Sequence, residues 1–230
     1  MLEPRQIARF GALSVAVYLA LMWVQPYVAR PYAALFRSFG NAAFSRFLLQ
    51  SEGVARFLDF KSPDLIGEVE AATGLQLRGR YAPPSPTQHK DTLMLLVHRG
   101  VRSPFGQMRT SSRLVGYEPT VVVLSLLLAT RFPSAKRRYI GLALGLTLVH
   151  GFIFVRLALN LLVGGFASAK PYALFHPSAF WLRAIDRADD ILMQDPTACW
   201  MFPVFIWLLV VLLTGAFTAF RPSTPSGDRA

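Results

Sequence analysis

The sequence predicts a membrane protein, mainly α-helical, with about four transmembrane helices and an extracytoplasmic α+β insertion, carrying a small antiparallel sheet, between the first and second. Three observations predict this. The 230 residues are 53% apolar with mean hydropathy +0.39, above the roughly 45–50% of ordinary soluble domains. The excess falls in four blocks that are nearly free of charge, Phe10 to Ala29, Leu114 to Thr130, Tyr139 to Ala169 and Pro196 to Phe220, and a hydrocarbon core about 30 Å thick takes about 20 helical residues. The short connection R-F-P-S-A-K-R-R carries Arg131, Lys136, Arg137 and Arg138, which the positive-inside rule places in the cytoplasm.

The first block follows Arg5 and Arg9 as a signal peptide would, but it ends W-V-Q-P-Y-V-A-R, with Tyr27 where processing wants a small residue. An uncleaved anchor over 1–29 is expected, with Trp23, Tyr27 and Tyr32 as an aromatic belt at the outer interface. Both termini then lie inside a bacterial inner membrane, and 30–113 lies outside, where long translocated segments escape the charge rule. The second block is the weakest candidate, because Glu118 sits near its start and only Pro119 to Thr130 is wholly uncharged; it is read as a span, with a buried soluble helix as the alternative. The net charge of +11 divides between these topology signals and an outward basic surface, so nucleic acid is not expected as a partner and no nucleic-acid module accompanies the charge. A single Cys199 allows neither an intramolecular disulfide nor a multi-cysteine metal site.

Within 30–113, Tyr32, Leu35, Phe36, Phe39, Ala43, Phe47 and Leu48 recur at helical spacing, an amphipathic helix with its apolar face toward acyl chains or neighbouring spans. The period then changes. Leu75 to Tyr81 alternates, D-T-L-M-L-L-V-H follows a Pro-rich turn, and Ile66 to Ala71 is a third candidate; these read as strands of a sheet within about 58–108. The membrane region 114–220 is interrupted near 177–193 by a second amphipathic helix, Phe180, Trp181, Ala184, Ile185 and Ala188 opposite Arg183, Asp186 and Arg187. Residues 221–230 are polar and Pro-rich and are expected to be a disordered cytoplasmic tail.

Ionisable residues inside a span cost about 2.5–3.5 kcal/mol and point to function. Arg156 lies about 27 Å along its helix from Arg138, near the outer hydrocarbon boundary. Two readings stand: it snorkels to headgroups, or with Asn160, one turn later on the same face, it offers donors to a carboxylate or a substrate backbone. Glu118, at similar depth, is a candidate ion-pair partner for Arg156. His150 lies about 120° around the helix from Arg156 and reads as a packed histidine bonded to a carbonyl. Gly141 and Gly145 give the small-xxx-small spacing of close helix approach. There is no H-E-x-x-H, G-x-S-x-G or phosphate-binding loop, and no cofactor or metal is expected.

The stretch S-S-R-L-V-G-Y-E-P-T-V-V-V-L-S-L-L-L-A-T, the basic K-R-R turn and the helix ending H-G-F-I-F-V-R-L-A-L-N resemble the core hairpin of the exosortase and archaeosortase family. That family places a catalytic cysteine at the outer end of one span and an arginine near the outer end of the next. Here Ser111 and Ser112 occupy the cysteine's place and Arg156 the arginine's, over about residues 111–160. The plan of anchor, outer domain and G-Y-x-P span resembles the small membrane proteins that accompany exosortases in bacterial sorting systems. Three functions are therefore expected in turn. The first is a non-enzymatic accessory protein binding a membrane or exported partner through Arg156, Asn160, Glu118 and the outward Arg99, Arg102, Arg109 and Arg113. The second is a divergent membrane hydrolase or transpeptidase using Ser112, Arg156 and His176, which must converge. The third is a structural subunit of a larger membrane complex, with Gly141, Gly145, Trp181, Trp200 and Trp207 on its contact surface.

Overall fold

A computed structural model describes residues 4–47, 53–74, 76, 90–98, 106–162, 178–194 and 198–216. The chain is mainly helical with one three-stranded antiparallel sheet. In order it forms α1 (Pro4–Phe47), β1 (Gly53–Asp59), α2 (Leu65–Thr73), β2 (Thr92–His98), β3 (Gly106–Thr110), a π-helical turn (Arg113–Tyr117), α3 (Glu118–Ala129), α4 (Ala135–Leu161), α5 (Ala179–Asp189), a second π-helical turn (Asp190–Gln194) and α6 (Ala198–Leu213). These pack as two compact units. One takes the start of α1, α3 from Pro119, α4 up to His150 and α6 from Trp200; the other takes the rest of α1, the sheet with α2, the remainder of α4, and α5.

The second unit is organised by its sheet, in the order β1-β2-β3. Phe57 pairs with Met94 and Met94 with Met108, so β2 is central. Successive side chains on a strand point to opposite faces, and Leu93, Met94 and Leu95 are all fully buried; both faces of β2 are therefore covered. One face carries Leu93 and Leu95 packed with Phe60, Leu65 and Val69, which seats α2. On α1, Ala33, Phe36 and Phe44 are buried at helical spacing. The Phe44 ring stacks on Phe57 at 5.8 Å and on Phe154 of α4 at 4.9 Å. Gly40 lies under the Phe57 ring, where an added Cβ would come within 2.8 Å. Asn41 completes the attachment: its Nδ2 donates to the Phe57 carbonyl at 3.0 Å and its Oδ1 accepts the Phe57 amide at 2.8 Å. The side chain thus stands where another strand's backbone would, and satisfies an edge strand that would otherwise expose paired donors and acceptors. An Arg37–Asp59 ion pair at 2.9 Å flanks it.

Two expectations change. Ile66 to Ala71 belongs to α2 rather than to a strand, because Leu65 and Val69 bury at a spacing of four and Gly74, at φ 70°, ends the helix by giving its amide to the Glu70 carbonyl at 2.8 Å. The first strand is instead Gly53–Asp59, where buried Ala55 and Phe57 alternate with exposed Arg56. The amphipathic helix runs on from the N-terminal segment, as expected, in a single 44-residue helix, and its apolar face turns to the sheet and α4. Residues 75 and 77–81, expected as a strand, and the 221–230 tail lie outside the described residues.

In the first unit, α4 packs closely on its neighbours through glycine. A Cβ at Gly145 would strike Leu127 of α3, and one at Gly141 would come within 2.8 Å of Phe132 and 3.5 Å of Val210 of α6. Trp207 of α6 donates its indole N–H to Thr130 Oγ1 at 2.8 Å, and Arg137 donates to the Thr214 carbonyl at 3.2 Å. Two described helices, α1 over Pro4–Phe44 and α4, are long and apolar enough to cross a membrane by length and composition. Only 6% of the most apolar window of α1 and 28% of that of α4 is buried. By contrast α3, at 12 residues, is about 18 Å long and is buried along most of its length, from Val121 to Ala129. At 16 residues α6 contains Pro203 and leaves Trp200, Met201, Phe205, Leu212 and Leu213 exposed.

Candidate functional site

The site is built where β3 runs into the π-helical turn. Ser111 Oγ accepts the Leu114 amide at 3.3 Å, the N-cap geometry that starts a helix. Across from it, Asp91 sits at the entrance to β2. Its Oδ1 accepts the Ser112 amide at 2.9 Å and the Thr92 hydroxyl at 3.1 Å, and its Oδ2 accepts the Ser112 hydroxyl at 2.5 Å. Its backbone joins in, the amide donating to the Thr110 carbonyl at 3.3 Å and the carbonyl accepting from Phe60 at 3.0 Å. A carboxylate at a helix start is stabilised by the free amides and the dipole. Asp91 therefore ties the entrance of β2 to the start of the π-helical turn.

The π-register comes from the sequence. The Glu118 amide bonds to the Arg113 carbonyl, five residues back, so the corresponding donor for the Leu114 carbonyl would be residue 119. That residue is Pro119, which has no N–H. Arg156, on α4, supplies a donor instead, with Nη1 at 3.4 Å from the Leu114 oxygen.

That long bond does not account for the guanidinium. Arg156 is 3% exposed and its Nε is buried with no acceptor. The Phe152 ring lies 5.7 Å from the guanidinium carbon. The expected ion pair with Glu118 does not form, because Arg113, one π-turn earlier on the same segment, holds Glu118 Oε1 at 3.0 Å. Asn160, one turn beyond Arg156, is half-buried, and its side chain makes no hydrogen bond among the described residues. The result is a buried cation with at most one long, neutral acceptor, beside an uncommitted amide.

The other candidate residues are dispersed. Ser112 is buried and bonded to Asp91 rather than to Arg156. Arg109 lies over the Phe60 ring at 5.3 Å, and Arg113 is half-exposed in its pair with Glu118. His150 bonds through Nδ1 to the Leu146 carbonyl of its own helix at 2.7 Å. Gly141 and Gly145 sit at the close approaches of the first unit. His176, Arg99 and Arg102 lie outside the described residues. Sequence reasoning missed Asp91; the available signal was an acid and Thr92 opening an apolar strand, with Ser111 and Ser112 opening a helix further on. Comparison of the chain with protein-family profiles, curated proteins and solved structures gives no match.

Proposed function

We propose that the chain is a non-enzymatic accessory protein of the bacterial inner membrane, with both termini cytoplasmic, which binds a membrane or exported protein partner at the outer face through a carboxylate taken by Arg156. The carrying observation is the guanidinium itself, 3% exposed with Nε unpartnered. An ion removed from water costs several kcal/mol unless an opposite charge and full hydrogen bonding compensate. No carboxylate of the described residues does so, and the missing anion is assigned to the partner. A guanidinium offers five donors in a planar fork that matches a carboxylate two bonds at a time; the Asn160 amide adds a further donor one turn away.

The membrane assignment is supported by the apolar, outward surface of α1 and α4, a pattern opposite to that of a soluble core helix. In this reading α3 and α6 complete a four-span bundle. The short α3 is tolerated because protein, not lipid, covers it, and the π-helical turn extends it toward the outer face. The sheet and α5 lie outside. The likeness to exosortase-associated proteins supports a sorting system as the setting. The non-enzymatic assignment is supported by Ser112, whose hydroxyl is already committed to the Asp91 carboxylate.

The test is co-purification in mild detergent of the wild type beside Arg156→Met and Arg156→Lys. We expect a defined stoichiometric partner with the wild type, at least tenfold less with Arg156→Met, and partial retention with Arg156→Lys, which keeps the charge and loses the fork. Equal recovery of that partner by all three, or a wild type that purifies alone, contradicts the proposal.

A further inference from the structure

A feature that the proposed function leaves unused is a cavity in the first unit, of about 1050 Å³. Four arginines line it, Arg5 and Arg9 from the start of α1 and Arg131 and Arg138 from either side of the α3–α4 connection. None of the lining residues is acidic, and none of the four arginine side chains has an ion pair or hydrogen bond among the described residues. Ser134 and Ala135 line it too, so the positive end of the 27-residue α4 adds its dipole to the same space. Ser134 Oγ caps only the Arg137 amide, at 3.3 Å. The rest of the wall is mostly apolar, with Phe10, Leu13, Leu128 and Leu142, and includes the polar side chains of Gln6 and Thr130. Leu13 is 45% exposed, so the apolar wall continues onto the outward surface of α1.

We propose that this cavity binds an anionic phospholipid, with the phosphodiester among the four arginines and an acyl chain leaving over Leu13 along α1. Four cations around one space, with no counter-ion among the described residues, give it a positive field that favours an anion. An apolar wall that opens onto an apolar helix surface calls for a hydrocarbon tail on that anion; free phosphate lacks the tail, and an acidic protein segment would leave the apolar wall in water. The inference rests on the membrane reading of α1 and α4, and it places the basic connection against the headgroups of the leaflet that its charge selects.

The experiment uses the full chain in mild detergent and native mass spectrometry with added phosphatidylglycerol, phosphatidylcholine and inorganic phosphate. Each exposed cation near an anionic lipid contributes enough that two give roughly a 30-fold change in binding. We expect retention of phosphatidylglycerol over phosphatidylcholine, no displacement by equimolar phosphate, and about 30-fold weaker retention by Arg9→Gln/Arg131→Gln. The pair Arg5→Gln/Arg138→Gln should behave alike. Equal retention of the two lipids, or unchanged retention by both double variants, overturns the proposal. Displacement of the lipid by phosphate identifies a simple anion site and overturns the lipid assignment, and displacement by an acidic peptide overturns it in favour of a protein surface. A chain that stays monodisperse without detergent would defeat the membrane reading itself, which is a separate result.

Discussion

Arg156 and the four arginines of the first unit's cavity carry the same charge in opposite surroundings. The cavity arginines are exposed, so water screens them and each is inexpensive to keep. Arg156 is enclosed and has been built around: Ser111 and Asp91 start the helix, Pro119 empties the donor position beyond Leu114, and Arg113 takes Glu118 away. Exposed cations act by number and by long-range field. A buried one acts by geometry, on one group at one place.

The comparison breaks first if the surroundings of Arg156 are not a packed site. Phe57 is 2% exposed and joins β1 to Gly40 and Phe44 of α1. Phe57→Ala is expected to cost about 3–5 kcal/mol, read as thermal unfolding in mild detergent; a loss below about 1 kcal/mol would mean the sheet is not clamped as described. Asp91→Ala removes one carboxylate that serves the Ser112 amide, the Ser112 hydroxyl and the Thr92 hydroxyl. A loss of about 1–3 kcal/mol is expected, with Asp91→Asn intermediate. Gly145→Ala, with fully buried Leu127 in the way, is expected to cost about 1–3 kcal/mol by overpacking. At the other end of the scale, Arg9→Gln is expected to stay within about 0.5 kcal/mol of wild type in lipid-free detergent.

Much of this was legible in the sequence, and what was not has physical reasons. The apolar blocks announced α1 and α4, the two described helices long and apolar enough to cross a membrane by length and composition. β2 announced itself as D-T-L-M-L-L-V-H, a short apolar run bounded by polar residues. The helix α2 was misread because I-G-E-V-E-A satisfies a period of two as well as of four; the Gly74 stop three residues later distinguishes them. β1 was overlooked because its pattern is only two inward residues, Ala55 and Phe57, and its edge is completed by Asn41 of a helix rather than by a strand. For the site, the place of Arg156 on α4, with Asn160 one turn later, followed from counting along the helix. Its isolation from Glu118 did not, because the π-register that hands Glu118 to Arg113 shifts side chains by one residue from the α-helical count. The Asp91–Ser112 bond joins residues 21 apart, which no local pattern reports.

The central claim is that Arg156 is held for a ligand and not for the fold, and unfolding of Arg156→Met in mild detergent, beside the wild type and without partner, tests it most directly. Replacing an uncompensated buried charge by an apolar side chain of similar length is often neutral or stabilising, so the account predicts equal or higher stability together with loss of the partner. A loss of about 2 kcal/mol or more would make Arg156 a structural donor to the Leu114 carbonyl and would contradict the account.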